Sequence, residues 1–266
     1  MKLSASLEYL SSGCNRSPGS VCWSNDAVAY GSSSNVVVYS SKLNKAILSL
    51  SGHRGRVNCV SWLKVVSRGS TRFQRSAEVL VSGSADNTVI VWKTNVEDGK
   101  LVAKLEGHTG PVTALATLLV ISTKASDKMT LIATTSTDSS LRIWQQKNLG
   151  KFVQVQTIPF GRGFALSVDL AVLTECDGEV PFLVCGCDDS ILHCYVWHGN
   201  EFNEVLALSG HGDWIRGVDM TVTGQYQHHS CHLHRMHSGN IYSLSKLPSC
   251  CVAKGTHCAA RRSKPL

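Results

Sequence analysis

Histidine, aspartate and cysteine are the residues here whose types and spacing could do chemistry. His53, His108 and His211 each follow a glycine, and Asp86, Asp138 and Asp189 are spaced at about the same interval. Imidazoles and carboxylates together are the groups of general acid–base catalysis and of divalent-metal coordination. A catalytic set, however, converges once, whereas these residues recur once per unit at one place in each. They read as structural residues of a repeat. Cys185, Cys187 and Cys194 with His193 offer ligands for a soft metal. Cys185 and Cys187 are read on one face of the strand and His193 on the other, and the spacing is not that of a zinc knuckle or ribbon. No metal is expected there. The segment HHSCHLHRMH (228–237), with Cys250, Cys251, His257 and Cys258, could also chelate, but it reads as an accident of composition. No nucleophile elbow, phosphate loop or metalloprotease motif is present, and the Gly-Arg-Gly at Gly161 has no helix after it. The expectation is therefore no catalytic residue, no metal, no cofactor and no small-molecule substrate: not an enzyme.

The 266 residues are 43% apolar and 17% charged, the balance of a globular chain. No apolar run approaches the roughly 20 residues of a membrane helix, and MKLSASLEYL lacks the apolar core of a secretory signal. Of 11 cysteines, Cys22, Cys59, Cys185, Cys187 and Cys194 fall in strand-like runs, where reduced thiols behave as small hydrophobes. That usage fits a reducing compartment, with cytoplasmic and nuclear localisation expected. The net charge of +7 is uneven. No acid follows Asp219, while Arg235, Lys246, Lys254, Arg261, Arg262 and Lys264 do, which leaves the preceding body near +1. The overall basicity is thus no argument for nucleic-acid binding.

The elements that must position these residues repeat. LVSGSADNTVIVW (80–92), IATTSTDSSLRIW (132–144) and VCGCDDSILHCY (184–195) read alike, with Trp92, Trp144 and Tyr195 six residues beyond the aspartates. GHRGRVNCVSW (52–62), GHTGPVTALAT (107–117), FGRGFALSVDL (160–170) and GHGDWIRGVDM (210–220) form a second series. The period is about 50 residues, with loops such as SRGSTRFQRS (67–76) making up the excess over the usual roughly 40–45. Each unit resolves into four short strands, such as 57–62, 78–82, 89–93 and 100–105. β-branched alternation and Asp-Asn or Asp-Ser turns support this, and no long window has helical periodicity.

Gly-His, then Asp, then an aromatic closing the third strand resembles the WD-repeat family, whose fold is an all-β propeller of four-stranded blades. The resemblance implies that His53, Asp86 and Trp92, with Ser82 or Ser84, form a buried hydrogen-bond chain. His108, Asp138 and Trp144 would do so with Thr134 or Ser136. Asp189 and His211 hold the corresponding places in the later units. Gly161 in place of His and Tyr195 in place of Trp leave the network of their unit incomplete. A degenerate unit precedes these, over 21–23, 27–32, 35–39 and 46–50, with Ser33 where Asp is expected and a lone strand at 5–11. After Met220 the pattern stops. The expected division is a partial propeller at 1–219, with about four blades and the first strand of a fifth, and a His/Cys-rich basic tail at 220–266, irregular or disordered. Such a ring is unclosed, as expected of a truncated form with a foreign ending.

FGRGFALSVDL, CGCDDSILHCYV, LSGHGDWIRGVD, VAYGSSSNVVVY and GHRGRVNCVSW together resemble the WD subunit family of Elongator, over about 20–219. The resemblance implies a scaffold that docks the largest and catalytic Elongator subunits and meets tRNA wobble-uridine modification only indirectly. The rival readings are a generic WD adaptor, such as a ubiquitin-ligase substrate receptor, and a truncated form without function. Asp213, Trp214 and Arg216, with Ala85, Thr137 and Asp188 just before the turn aspartates, are the candidate partner contacts. Arg68, Arg72 and Arg75 around Phe73 read as a solvated insertion loop rather than a phosphate-binding one.

Overall fold

The computed structural model describes residues 13–67, 74–95, 98–121, 128–147, 151–161, 163–175, 178–223, 230–233 and 242–245. Every regular element among them is a strand, and no helix is long and apolar enough to cross a membrane. The first blade is β1 (Val21–Ser24), β2 (Ala27–Ser32), β3 (Asn35–Ser40) and β4 (Lys45–Ser51), paired in chain order. The second is β5 (Val57–Ser67), β6 (Gln74–Ser84), β7 (Val89–Thr94) and β8 (Gly99–Leu105). The third is β9 (Val112–Ile121), β10 (Lys128–Ser136), β11 (Ser140–Gln146) and β12 (Phe152–Pro159). The fourth is β13 (Ala165–Glu175), β14 (Gly178–Cys187), β15 (Leu192–His198) and β16 (Glu201–Leu208). All pairs within a blade are antiparallel. Blades two and three merge into one eight-stranded sheet through the parallel pairing of β5 and β9 at Val65–Ser67 and Leu119–Ile121. This is an incomplete WD-type propeller.

The blades stack through apolar faces. Val36, Val38, Val57, Trp62, Leu80, Ile90 and Trp92 fill the space between blades one and two. Leu118, Leu131, Ile143, Leu170, Leu183, Cys185 and Tyr195 fill that between three and four. Val or Ile at alternate positions presents a β-branched side chain to each neighbouring sheet, which is why these sequences settle as strands.

One contact recurs from blade to blade. Asn15 Nδ2 donates to Val57 O (2.9 Å), Asn58 Nδ2 to Val112 O (2.8 Å), Thr113 Oγ1 to Ala165 O (2.8 Å) and Ser167 Oγ to Ile215 O (3.3 Å). In blades two to four a β-bulge stands at the start of the innermost strand, at Val57/Cys59, opposite Thr135/Ser136 and at Ala165/Ser167. In blades two and three the bulged residue, Asn58 or Thr113, is the one that reaches the next blade, whereas in blade four the bulged residue is Leu166 and Ser167 beside it makes the contact. Val57, Val112, Ala165 and Ile215 are thereby the equivalent first residues of successive blades.

Three strand expectations change. β5 and β6 extend well past 57–62 and 78–82, so that Ser67 and Gln74–Ser76 belong to strands and only 68–73 separate them. Arg75 is therefore an exposed strand residue rather than a loop residue: its guanidinium donates to Trp23 O (2.9 Å), and its carbonyl accepts from Ser24 Oγ (2.6 Å). Arg68, Arg72 and Phe73 lie outside the described residues, as does the lone strand at 5–11. The segment read as an irregular tail from residue 220 contains, in its described parts, β17 (Met220–Thr223), β18 (Ser230–Leu233) and β19 (Tyr242–Ser245), an antiparallel meander. Its anchor is Met220, buried, whose N–H donates to Asp169 Oδ2 (2.9 Å) on β13. Backbone pairing needs no blade signature, which is why the missing motif hid these strands.

Candidate functional site

The repeat histidines and aspartates are consumed by hydrogen bonds inside the blades. In blade two Trp92 Nε1 donates to Ser82 Oγ (2.8 Å), Ser82 Oγ lies 2.8 Å from His53 Nε2, and His53 Nδ1 lies 3.2 Å from Asp86 Oδ2. Blade three repeats the chain through Trp144 Nε1 to Thr134 Oγ1 (3.0 Å), Thr134 to His108 Nε2 (2.9 Å) and His108 Nδ1 to Asp138 Oδ2 (2.8 Å). With a neutral imidazole, as burial favours, the donors and acceptors follow one ordering. The indole donates to the hydroxyl, the hydroxyl to Nε2, and a neutral imidazole donates Nδ1–H to the carboxylate. Of the two hydroxyls open on sequence, Ser82 and Thr134 join the chain. Ser84 and Ser136 instead accept the N–H of Asp86 and of Asp138 (3.1 Å each).

Each aspartate also ties its own turn. Asp86 Oδ1 accepts from Thr88 N and Oγ1, and Oδ2 from Arg54 N (2.7 Å). Asp138 does the same with Ser140 and with Thr109 N (3.0 Å). Thr88 and Ser140, two residues past the aspartates, escaped the sequence reading although their spacing is regular. Burial alone would raise both carboxyls, but the hydrogen bonds from Thr88 and Arg54, and from Ser140, His108 and Thr109, outweigh it and hold each at about 2. Burial holds His53 and His108 below the usual imidazole value, against the pull of their aspartates. Buried, neutral and paired imidazoles are poor general bases for a bound substrate.

The fourth blade departs further than its sequence suggested. Asp189 Oδ1 accepts from Ile191 N (2.8 Å) as its counterparts do. With Gly161 at the histidine position, the imidazole comes instead from β15: His193 Nε2 lies 3.1 Å from Asp189 Oδ2 and its Nδ1 2.7 Å from Glu204 Oε1. Burial opposes protonation of His193, but Glu204 and Asp189 together raise it above the usual value. Tyr195 packs into the core, against Cys185 and Cys187. The face assignment of His193 needs correction. Cys185 pairs directly with His193 across the β14–β15 hairpin, and cross-strand partners point to the same face. Cys185, Cys187 and His193 are separated by even numbers, so simple alternation already places them on one face and the turn keeps that parity; the opposite-face assignment is a miscount. Cys187 Sγ, an Asp189 carboxylate oxygen and a His193 nitrogen lie within 4.8 Å of one another. Cys194 stands on the opposite face, with Leu192 and Ile215. Cys14, Cys22, Cys59, Cys185 and Cys187 are free thiols, and burial pushes the Cys59 thiol up to about 12. His211, four residues before Ile215, is half-buried at the blade-histidine position, and the turn after β17 lies outside the described residues.

The candidate contacts sit where strand-joining turns meet. Thr137 is exposed, while Ala85 and Asp188 are partly buried. Asp188 Oδ1 accepts from Phe164 N (3.0 Å), so its carboxylate orders the loop before β13. Turn and loop touch within blade two, where a Cβ on Gly55 would meet Asp86 N, and between blades, where Asn87 Nδ2 donates to Thr109 O (3.2 Å). In the loop before β17, Trp214 is 48% exposed, with the Arg216 guanidinium 5.3 Å from its ring centre and the Asp213 carboxylate on its own N–H (2.7 Å). Ile215, between them, is buried with its N–H on Cys187 O (3.1 Å). The aromatic is thus presented outward by a docked backbone.

The WD40 model (WD domain, G-beta repeat) matches residues 44–93 and 99–145, each match running from the last strand of one blade (β4, β8) through the first three strands of the next (β5–β7, β9–β11). Elongator complex protein 2 of Homo sapiens is 38% identical over 217 residues, and that of Mus musculus 36% over 214. Each alignment covers 79% of this chain and 25% of the relative. Elongator complex protein 2 of Arabidopsis thaliana is 26% identical over 231 residues. The chain spans about a quarter of the length of these relatives. Repeats, blade topology and sequence agree: this chain is a WD40-repeat protein homologous, over 79% of its length, to the Elongator complex protein 2 family.

Proposed function

We propose that the chain acts as a scaffold of an Elongator-type assembly, holding the largest and the catalytic subunits and so serving tRNA wobble-uridine modification indirectly, in the cytoplasm and nucleus. The observation that carries the reading is the homology to Elongator complex protein 2 over 79% of the chain. The consumption of the repeat histidines and aspartates by the blades themselves supports it. What such a surface has to offer is contact area and its exposed residues, Trp214, Arg216, Asp213 and Thr137 among them, with the partly buried Ala85 and Asp188 beside them. An exposed aromatic backed by an arginine suits the centre of a protein contact.

Affinity capture of the tagged chain from cell extract, followed by identification of partners, tests this. Recovery of the largest and catalytic Elongator subunits, reduced at least tenfold by Trp214→Ala with Arg216→Ala, is the expected result. Recovery of cullin-type ligase subunits instead, or of chaperones alone, would overturn it.

A further inference from the structure

The fourth blade keeps the register of its neighbours and replaces their chemistry. Ser82 pairs with Ile90, Thr134 with Arg142 and Cys185 with His193, so Cys185 occupies the position of the network hydroxyl. Two residues further along the same face stand Ser84, Ser136 and Cys187, and two further still Asp86, Asp138 and Asp189. Both hydroxyls have become thiols. The histidine that would reach in from the preceding loop is Gly161, where an added Cβ would meet nothing within 4 Å. A different imidazole, His193, reaches the same aspartate from β15. The result is a thiol, a carboxylate and an imidazole converging on one hairpin turn, with a second carboxylate, Glu204, on the far nitrogen of the imidazole.

We infer that Cys187, Asp189 and His193 form a binding site for a soft divalent cation of the zinc type. The inference does not depend on the scaffold reading. Zinc takes sulfur, nitrogen and oxygen at about 2.0–2.3 Å, which puts tetrahedral ligand atoms roughly 3.3–3.8 Å apart. His193 Nε2 and Asp189 Oδ2 are already 3.1 Å apart, and all three ligand atoms lie within 4.8 Å, so closure needs about an ångström of movement at most. His193 is partly buried and Asp189 exposed, so both can supply it by side-chain rotation. Glu204 on Nδ1 is the outer carboxylate that fixes the tautomer of a metal-bound histidine and aims Nε2 at the ion. Three protein ligands leave one position for water. Binding breaks the S–H bond of Cys187, and that proton, with any on His193 Nε2, passes to solvent. The ion would clip the β14–β15 turn as the His–Asp bond clips the turns of blades two and three. Because Cys187 O also holds Ile215 N (3.1 Å), it would brace the loop that presents Trp214.

Cobalt(II) titration of the reduced full-length chain tests the site, because tetrahedral thiolate coordination gives strong near-ultraviolet and visible bands. The His and Cys residues between 228 and 258 are common to all variants, so differences between variants report this site alone. Wild type should bind one equivalent more than Cys187→Ser or His193→Gln, and zinc should displace it. Cys194→Ser, on the opposite face, should bind as wild type does. Asp189→Asn keeps the oxygen that accepts from Ile191 N and should weaken the site by tenfold or more without unfolding the blade. Equal stoichiometry and affinity in wild type and the folded Asp189→Asn and His193→Gln variants would overturn the proposal and leave His193 as an ion-paired clamp between two carboxylates.

Discussion

At the residue scale, the buried chain from Trp92 to Asp86 runs through His53, which burial biases towards the neutral form, and that from Trp144 to Asp138 runs through His108 in the same way. Removing one link leaves buried groups unsatisfied, so Ser82→Ala or Thr134→Val should cost about 1–3 kcal/mol, read from urea unfolding. In a Ser82→Ala and Trp92→Phe cycle the double variant should cost less than the sum of the singles, because the second substitution removes a donor already stranded by the first. The pH dependence has a definite sign. His53 and His108 lie below their unfolded value, so the unfolded chain takes up their protons first. Stability should fall as pH drops below about 6.5. Asp86 and Asp138 are held at about 2, and their contribution is present above the unfolded value of about 3.9 and lost as pH falls towards 2. Urea midpoints from pH 8 to 3 should therefore decline in two stages, and His53→Gln with His108→Gln should remove the first.

At the element scale, blades are joined by one device with matched sizes. Gly83 on β6 lies against the first residue of the next blade: an added Cβ would stand 2.6 Å from Val112 Cγ1 and 2.8 Å from Cys59 Sγ. Gly31 faces Val57 and Gly186 faces Ile215 in the same way. Blade three inverts the sizes, with Thr135 at the glycine position and Ala165 at the Val or Ile position, and Thr113 Oγ1 bonded to both (2.8 Å each). Gly83→Thr should thus destabilise by about 1–3 kcal/mol through overpacking, and adding Val112→Ala should recover part of the loss. Thermal unfolding of the single and double variants reads this directly. A double variant no more stable than Gly83→Thr would refute the size matching.

At the scale of the whole molecule, an ion pair joins blades that are not adjacent in sequence. Lys64 on β5 donates to Asp169 Oδ1 (2.7 Å) and to Leu170 O (3.0 Å) on β13, and both side chains are almost fully buried. Asp169 Oδ2 meanwhile accepts Met220 N, so one carboxylate ties blades two and four and the β17–β19 meander. Removing either partner would strand a buried charge. Lys64→Met should cost about 3–5 kcal/mol, and Lys64→Met with Asp169→Leu less than the two singles together, as measured by denaturant unfolding.

The all-β class, the blades at about 50-residue spacing and the His, Asp and Trp marks were legible in the sequence. Each is a local, repeated consequence of strand alternation and turn chemistry. The choice of Ser82 over Ser84 was not legible, because both hydroxyls share a face and only the reach of His53 separates them. The common face of Cys187, Asp189 and His193 was legible in their even spacing, but their closeness was not, because it depends on the β14–β15 hairpin register. Arg75 against Trp23, and Lys64 against Asp169, lie 52 and 105 residues apart and meet only because the blades curl about a common centre. The sequence by itself determined the repeating unit, since its signals act within a few residues. Only the tertiary structure decided which units touch and what their meeting faces hold, since those contacts are set by sheet register and by the curvature of the arc.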